Sequence, residues 1–351
     1  MSEHIANAEN ANRYAQLDLV RAAACLMVVL IHSSADFFYA KDAGWLAANV
    51  YDAMVRCAVP LFFMLSGALL MKKAAEEPAP GFVKRRYARI LPPFLVWGIL
   101  GVSLNSPDGV LDFLTKLFCA NSYFHLWYLY LMVGLNLLLP VAAKWYAAAS
   151  DKEKRFYLLA WLAVCCISLA NAIVKAFTGY KIDVVALYHL REFIGGIWYF
   201  VLGAFIFDRR GSAFMKRVRA SAWLLCFFAC GLVTALATYL LSAAVNVHSE
   251  VFYPYRAPLV ALSAGFFFAF ALRTDCAKWR VFPAIRLISA CSLGIYCIHA
   301  FLLDYLPLDW TVTVTGGRVW LTIPLKMATV FIVSTAASFI LRKIPYVRKI
   351  A

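Results

Sequence analysis

Apolar stretches of about membrane-spanning length recur from one end of the chain to the other, and no other feature limits its fold so strongly. They cover Leu17–Phe38, Val50–Met71, Ile90–Leu104, Phe124–Ala143, Phe156–Phe177, Phe193–Phe207, Ser221–Val245, Ala257–Leu272, Leu287–Leu308 and Val319–Leu341. A hydrocarbon layer roughly 30 Å thick asks for about 20 apolar residues per crossing helix. Of the 351 residues, 64% are hydrophobic and only 15% charged, too apolar for a water-soluble interior to hide. Barrel strands would be much shorter and would alternate in polarity, whereas a helix satisfies its own backbone in lipid. The expected fold class is therefore all-α: a polytopic integral membrane protein of about ten transmembrane helices. The third, sixth and eighth stretches are short and are expected to gain length through charged flanks. The first is too long for a signal peptide and has no clear small-residue cleavage site, so a retained helix is expected.

Charge orients these spans, because Lys and Arg near span ends are kept on the cytoplasmic side. Lys72, Lys73, Lys84, Arg85, Arg86 and Arg89 crowd the connection after the second stretch. The connections after the fourth, sixth and eighth hold Lys144 to Arg155, Arg209 to Arg219 and Arg273 to Arg286. The intervening ones carry far fewer cations: Lys41, Lys116, Lys175, Lys181, Arg191, Arg256 and Arg318. Both termini then read as cytoplasmic, with residues 1–16 an N-terminal segment, 17–341 the membrane domain and 342–351 a basic tail. The net charge of +15 is mostly a topology signal. Divided among separate connections, it does not form the stripe that binds nucleic acid, and no nucleic-acid partner is expected. Eight of the ten cysteines lie in apolar spans without a C-x-x-C pair and read as buried small hydrophobes.

Ionisable groups within spans are costly and tend to face a cavity or mark a site. In the first span Arg21 and His32 are about 20° apart around a helix axis and about 16 Å apart along it. They share a stripe, Arg21 toward the cytoplasm and His32 in the outer third. Arg21 can also be read as a snorkelling anchor paired with Asp18, and His32 as a packing histidine. Arg56, roughly 9 Å below the outer surface by the same rise, comes near the depth of His32 and needs a partner. Ser66 and Gly67 fall at the cytoplasmic end, too far from His32 for a nucleophile–base pair, and suit close helix packing. Pro60 is expected to kink this helix. His125 and His299 also point outward. Zinc motifs are absent and the histidines sit on different spans, so no metal site is expected; His125 reads equally as an interfacial anchor beside Trp127 and Tyr128. Arg86 and Arg89 would share a helical face ahead of Pro92-Pro93, where the third helix is expected to start. Paired guanidinium forks suit phosphate oxygens, and the same residues also serve as plain positive-inside charge.

Several of these pieces together resemble a known family. They are Asp18-Leu19-Val20-Arg21 with His32 eleven residues beyond the arginine, and Val59-Pro60-Leu61-Phe62-Phe63-Met64-Leu65-Ser66-Gly67. The Arg86-x-x-Arg89 pair, the run His125-Leu126-Trp127-Tyr128 and the segment from Ser292 to His299 follow in order. The chain is similar to acyltransferase family 3 membrane acyltransferases, and most of all to surface-polysaccharide O-acetyltransferases of the enterobacterial-common-antigen type. The resemblance implies ten spans in the bacterial inner membrane and an acyl-CoA donor, with acetyl-CoA as co-substrate, on the cytoplasmic side. It also implies a lipid-linked or surface glycan acceptor outside and no tightly bound cofactor. Catalysis would fall to His32, donor binding to Arg21, Arg86 and Arg89. Arg56, His125 and His299 are candidates for oxyanion or acceptor contacts, and Asp36, one turn past His32, for orienting the imidazole. Membrane lipids are the remaining partner. A transporter or flippase for an acidic or acylated solute is the alternative reading of ten helices with buried Arg and His, although no internal repeat supports it. Lys326, in the last span, reads as either an ion-pair partner or a snorkelling anchor.

Overall fold

The computed structural model describes residues 2–40, 44–105, 107–120 and 122–350; Lys41, counted above among the outward cations, lies outside the described residues. The chain order is α1 Ser2–Ala40, α2 Trp45–Val55, α3 Ala58–Glu76, α4 Ala79–Leu104, α5 Val110–Phe118, α6 Trp127–Ala148, α7 Asp151–Thr178, α8 Val184–Leu187, α9 Ile197–Asp208 and α10 Ala213–Arg217. There follow α11 Ala220–Val245, α12 Pro258–Leu272, α13 Phe282–Tyr305, α14 Asp309–Val314 and α15 Val319–Lys343, and four short 3-10 turns complete the chain. The protein is all-α and polytopic. Eight segments are long and apolar enough to cross a membrane, and α9 and α12 are shorter apolar helices. All ten of the apolar stretches are thus helical. The two short ones, 12 and 15 residues, fall below the length a bilayer asks for. Both are packed among other helices, where protein rather than lipid surrounds them.

The third stretch is the one whose bounds the sequence reading misplaced. It is no short span: α4 has 26 residues and begins at Ala79, not at Pro92-Pro93. Pro92 and Pro93 lie inside it. They withhold donors from the carbonyls of Ala88 and Arg89, both exposed, where other partners can satisfy those oxygens. The basic run Lys84–Arg89 is therefore a helix face and not a loop. Lys72 and Lys73 belong to α3, so the connection itself shrinks to Glu77 and Pro78.

The second stretch is broken where Pro60 leads one to expect it. Without an N–H, Pro60 cannot bond the carbonyl of Arg56, so α2 stops at Val55 and α3 starts at Ala58. The ladder resumes with Leu61 N–H donating to Cys57 O at 2.9 Å. Arg56 thus sits at a break between two helices.

α1 is the hub, packed against α2, α3, α12, α13 and α15. α3 in turn crosses α9 at very close range. A Cβ on Gly67 would lie 1.9 Å from Phe200 O, and one on Gly203 would lie 2.1 Å from Met64 O. Only hydrogen fits at either point, so backbones meet as small residues allow in membranes. By contrast α7 is peripheral, with 17% of its apolar window buried, and its start is fixed by a capping box between Ser150 and Glu153. All ten cysteines are free thiols.

Candidate active site

Two cavities open along α1, one at the level of Arg21 and one at the level of His32. The inner cavity, about 490 Å³, is lined by Arg21, Ser66, Arg86, Arg89, Tyr128 and Ser292, with apolar walls from Phe62, Met132 and Tyr296. It joins Arg21, which the sequence places in the first span, with Arg86 and Arg89, which it places in the connection after the second. Each is held differently. Arg21 donates from Nη1 to Ser289 Oγ at 3.1 Å, and Ser289 Oγ donates to Asp18 Oδ1 at 2.5 Å. The Arg21 to Asp18 separation is 3.6 Å, so the pairing foreseen one turn apart is present, bridged by a serine. Arg86 donates from Nε to Asn136 Oδ1 at 2.8 Å, and Asn136 donates to Met132 O at 2.7 Å. Arg86 and Arg89 make no ion pair among the described residues. A neutral amide orients Arg86 without neutralising it, which leaves its charge for a ligand. Three cations against the single carboxylate of Asp18 suit a multiply charged phosphate ligand.

The outer cavity, about 440 Å³, is lined by His32, Asp36, Asp52, Arg56, Phe124 and Asp304 among others. Arg56 reaches the depth of His32, as helical rise suggests. Its partner is Asp52, one turn back, with Nη2 2.5 Å from Oδ2. The guanidinium also lies over the Tyr253 ring at 4.5 Å. Tyr253 donates its hydroxyl to Asn49 Oδ1, and Asn49 Nδ2 donates to Ala235 O at 3.0 Å. Burial raises the Tyr253 phenol well above its ordinary pKa, so it serves this chain of bonds as a proton donor. The other carboxylates at the cavity are also engaged. Asp304 accepts from Tyr123 Oη, and Asp36 pairs with Lys326. Asp36 therefore serves the last helix and does not orient the imidazole. Lys326 has a carboxylate partner and is no snorkelling anchor.

His32 forms no hydrogen bond among the described residues. Its ring lies 5.1 Å from that of His299 and 5.4 Å from that of Phe124, centroid to centroid. His299 is fully buried, and its Nδ1 lies 2.7 Å from Tyr296 O and 3.1 Å from Ile295 O. Two acceptors at Nδ1 assign the ring proton there, leaving Nε2 buried with a free lone pair and no partner. His125 is 5.2 Å from His299, 1% exposed, and bonds through Nε2 to Cys297 O at 3.2 Å. It faces neither cavity and is a buried joint between two helices, not an interfacial anchor. Three histidines distant in sequence thus form a row. Among the described residues no group of His, Cys, Asp or Glu is disposed to hold a metal ion.

The two cavities share no lining residue. A small void is walled by Val28, Phe62, Tyr296 and His299, the last with its ring 5.1 Å from that of His32. Val28, Phe62 and Tyr296 also wall the inner cavity, so they form the partition. Ser66 faces the inner cavity and donates to Phe62 O at 2.9 Å, far from His32, as its depth implied. Sequence reasoning missed Asn136, Ser289, Asp52 and Tyr253. Asp52 had a signal, its place four residues before Arg56 on one helical face. Asn136 had a weaker one, as a lone amide in an apolar run.

The chain is 23% identical over 215 residues to an amino-acid racemase of Enterococcus faecalis, a match that takes in 56% of this chain and 28% of that protein. The chain therefore spans well under a third of that curated relative, which is much the longer protein. No solved structure matches. The family model for an acyltransferase domain matches residues 14–343, nearly the whole chain and every residue of both cavities. The chain, an all-α protein with eight helices long and apolar enough to cross a membrane among its described residues, belongs to this acyltransferase-domain family.

Proposed function

We propose that the protein is an O-acyltransferase of the bacterial inner membrane. It takes an acyl group, acetyl by this reading, from acyl-CoA at the cytoplasmic face and passes it to a hydroxyl of an extracytoplasmic surface glycan. One observation carries the proposal: a single helix presents Arg21 to a cationic inner cavity and His32 to an outer one. Membership in an acyltransferase family supports acyl transfer over the transporter alternative.

The donor's phosphates lie against Arg86, Arg89 and Arg21, and its thioester arm reaches past Phe62 and Tyr296 once these side chains turn aside. Neutral His32 removes the proton from the acceptor hydroxyl. The hydroxyl oxygen bonds to the thioester carbon, the carbonyl electrons move to oxygen, and the C–S bond then breaks. CoA thiolate leaves and takes up the proton held by His32, so the transfer is balanced without any other reactant. Arg56, at the same depth as His32, faces the developing oxyanion. His299, its ring 5.1 Å from that of His32 and its Nε2 lone pair unpartnered, stands beside the base and acts on the reaction only through His32. It is a positioning residue.

Inside-out vesicles supplied with radiolabelled acetyl-CoA test the proposal. Label should pass to a glycan in vesicles holding the intact protein and fail to pass with His32→Ala, at matched protein level. Solute movement without label transfer would refute it, and undiminished transfer by His32→Ala would remove His32 from the mechanism.

A further inference from the structure

Positive charge outside the membrane runs against the orientation rule, so outward cations call for another reason. Of the seven found by sequence, Lys175, Lys181, Arg191 and Arg256 line one cavity of about 740 Å³. They converge from the two connections that flank the α9–α11 region, far apart in the chain. Asp183 is the carboxylate lining this cavity, and it is already paired with Arg191 and capped by Ala186 N–H. Lys175, Lys181 and Arg256 make no ion pair among the described residues. The side-chain amide of Asn171 also faces the cavity, and its Nδ2 is buried without a partner. The arrangement is an excess of donors and positive charge around a space large enough for a ligand. Glu250 stands on the adjoining rim beside Arg256 and limits the cationic region on that side.

Two further observations indicate what the ligand carries. Ile182, an exposed apolar side chain, lines the cavity, and Phe177 and Leu187, exposed as well, lie within five residues of it in the chain. On the other side the loop Tyr253–Arg256 separates this cavity from the site around His32. Tyr253 carries the Arg56 guanidinium on its ring, while Tyr255 and Arg256 line the basic cavity. Tyr255 is itself fixed, stacked on Trp127 at 5.3 Å. The cavity therefore has an apolar residue in its lining and one short loop between it and the site around His32.

We infer that this cavity holds the phosphate of a lipid-carried acceptor, so that the glycan beyond the phosphate is presented to His32. The inference rests on the acyl transfer proposed above and names the anchoring chemistry of its acceptor. A headgroup phosphate of bulk lipid offers the same chemistry from a second source, and the experiment separates the two.

The full-length protein in nanodiscs of neutral phosphatidylcholine is titrated with radiolabelled geranylgeranyl diphosphate, in the absence of acyl-CoA. Saturable binding is expected, with inorganic pyrophosphate competing and geranylgeraniol failing to compete. The double variant Lys181→Gln, Arg256→Gln should bind about tenfold or more weakly, as befits two lost charge contacts. The charge-preserving variant Lys181→Arg, Arg256→Lys should retain binding, showing that the loss is not misfolding. Equal affinity of the intact and Gln-bearing proteins, loss in the charge-preserving variant, or competition by geranylgeraniol would each overturn the inference. Phosphatidylglycerol competing as well as the prenyl diphosphate would assign the site to bulk headgroups and overturn its acceptor role. Because no acyl donor is present, a protein that binds the probe but transfers no acyl group would refute the transferase proposal alone.

Discussion

The inner and outer cavities share one helix yet treat charge in opposite ways. At the inner cavity Arg86 is oriented by the neutral amide of Asn136, and Arg89 has no ion pair among the described residues. At the outer cavity Arg56, Asp36 and Asp304 each have a partner supplied by the protein: Asp52, Lys326 and Tyr123. An ion pair formed in advance leaves little net field for an incoming charge, whereas unpaired guanidinium groups attract one. The inner region is built to receive an anion. The outer one is built to hold its charged groups in fixed pairs around an imidazole without its own hydrogen bond among the described residues. That division matches a charged donor on one side and a neutral hydroxyl on the other.

The largest expected effect breaks the outer half alone. His32→Ala should lower acyl transfer by about 10²–10⁴-fold, the usual worth of a general base, while acyl-CoA binding measured by isothermal titration stays unchanged. Loss of donor binding together with activity would mean the two halves are not separable. Next comes the inner half: Arg86→Ala with Arg89→Ala should raise the KM for acyl-CoA by about 10- to 100-fold with kcat largely kept, since charge-assisted contacts to phosphate are removed. An unchanged KM would return the pair to a purely topological role. The wall between the halves provides a finer test. Phe62→Trp adds bulk at the partition and should reduce kcat several-fold without altering donor affinity, because only the passage is narrowed. A rate equal to that of the unaltered protein would show that the acyl group travels elsewhere.

Packing is tested by Gly203→Ala, whose Cβ has no room against Met64 O. It should cost about 3 kcal/mol or more and lower the melting temperature in detergent, more than the same change at the open Gly134. The smallest effect belongs to Lys326→Met. Its partner Asp36 is 72% exposed on the side chain, so stability should fall only slightly and transfer should hold near its original rate. A collapse of activity there would place the Asp36–Lys326 pair inside the chemistry and blur the contrast between the cavities.

Much of the architecture could be read from the residues. All ten apolar stretches are helical, Arg21 and His32 do face cavities at different levels, and the break near Arg56 follows from Pro60. The bounds of α4 were misread because prolines inside an apolar run look like a start, when exposed carbonyls one turn earlier let the helix continue through them. Spacing along one helix makes Asp36 a candidate either for orienting His32 or for a solvated helix end, but a lysine about 290 residues away pairs with it. The row of three histidines was invisible for the same reason: His125 and His299 meet His32 only because α13 packs against α1 and the turn before α6 is bonded to α13.

Solvent explains the division. Lipid imposes one rule on every residue of a span, so hydropathy, helical period and cation bias determine the helices and their orientation from local sequence alone. Which polar groups pair inside is decided by distance across packed helices, and that depends on contacts such as Gly67 against Phe200 that no local pattern encodes. The acyltransferase family and its first-helix stripe belonged to the sequence. The partition, the partners of the charges and the clustering of outward cations belong to the tertiary structure.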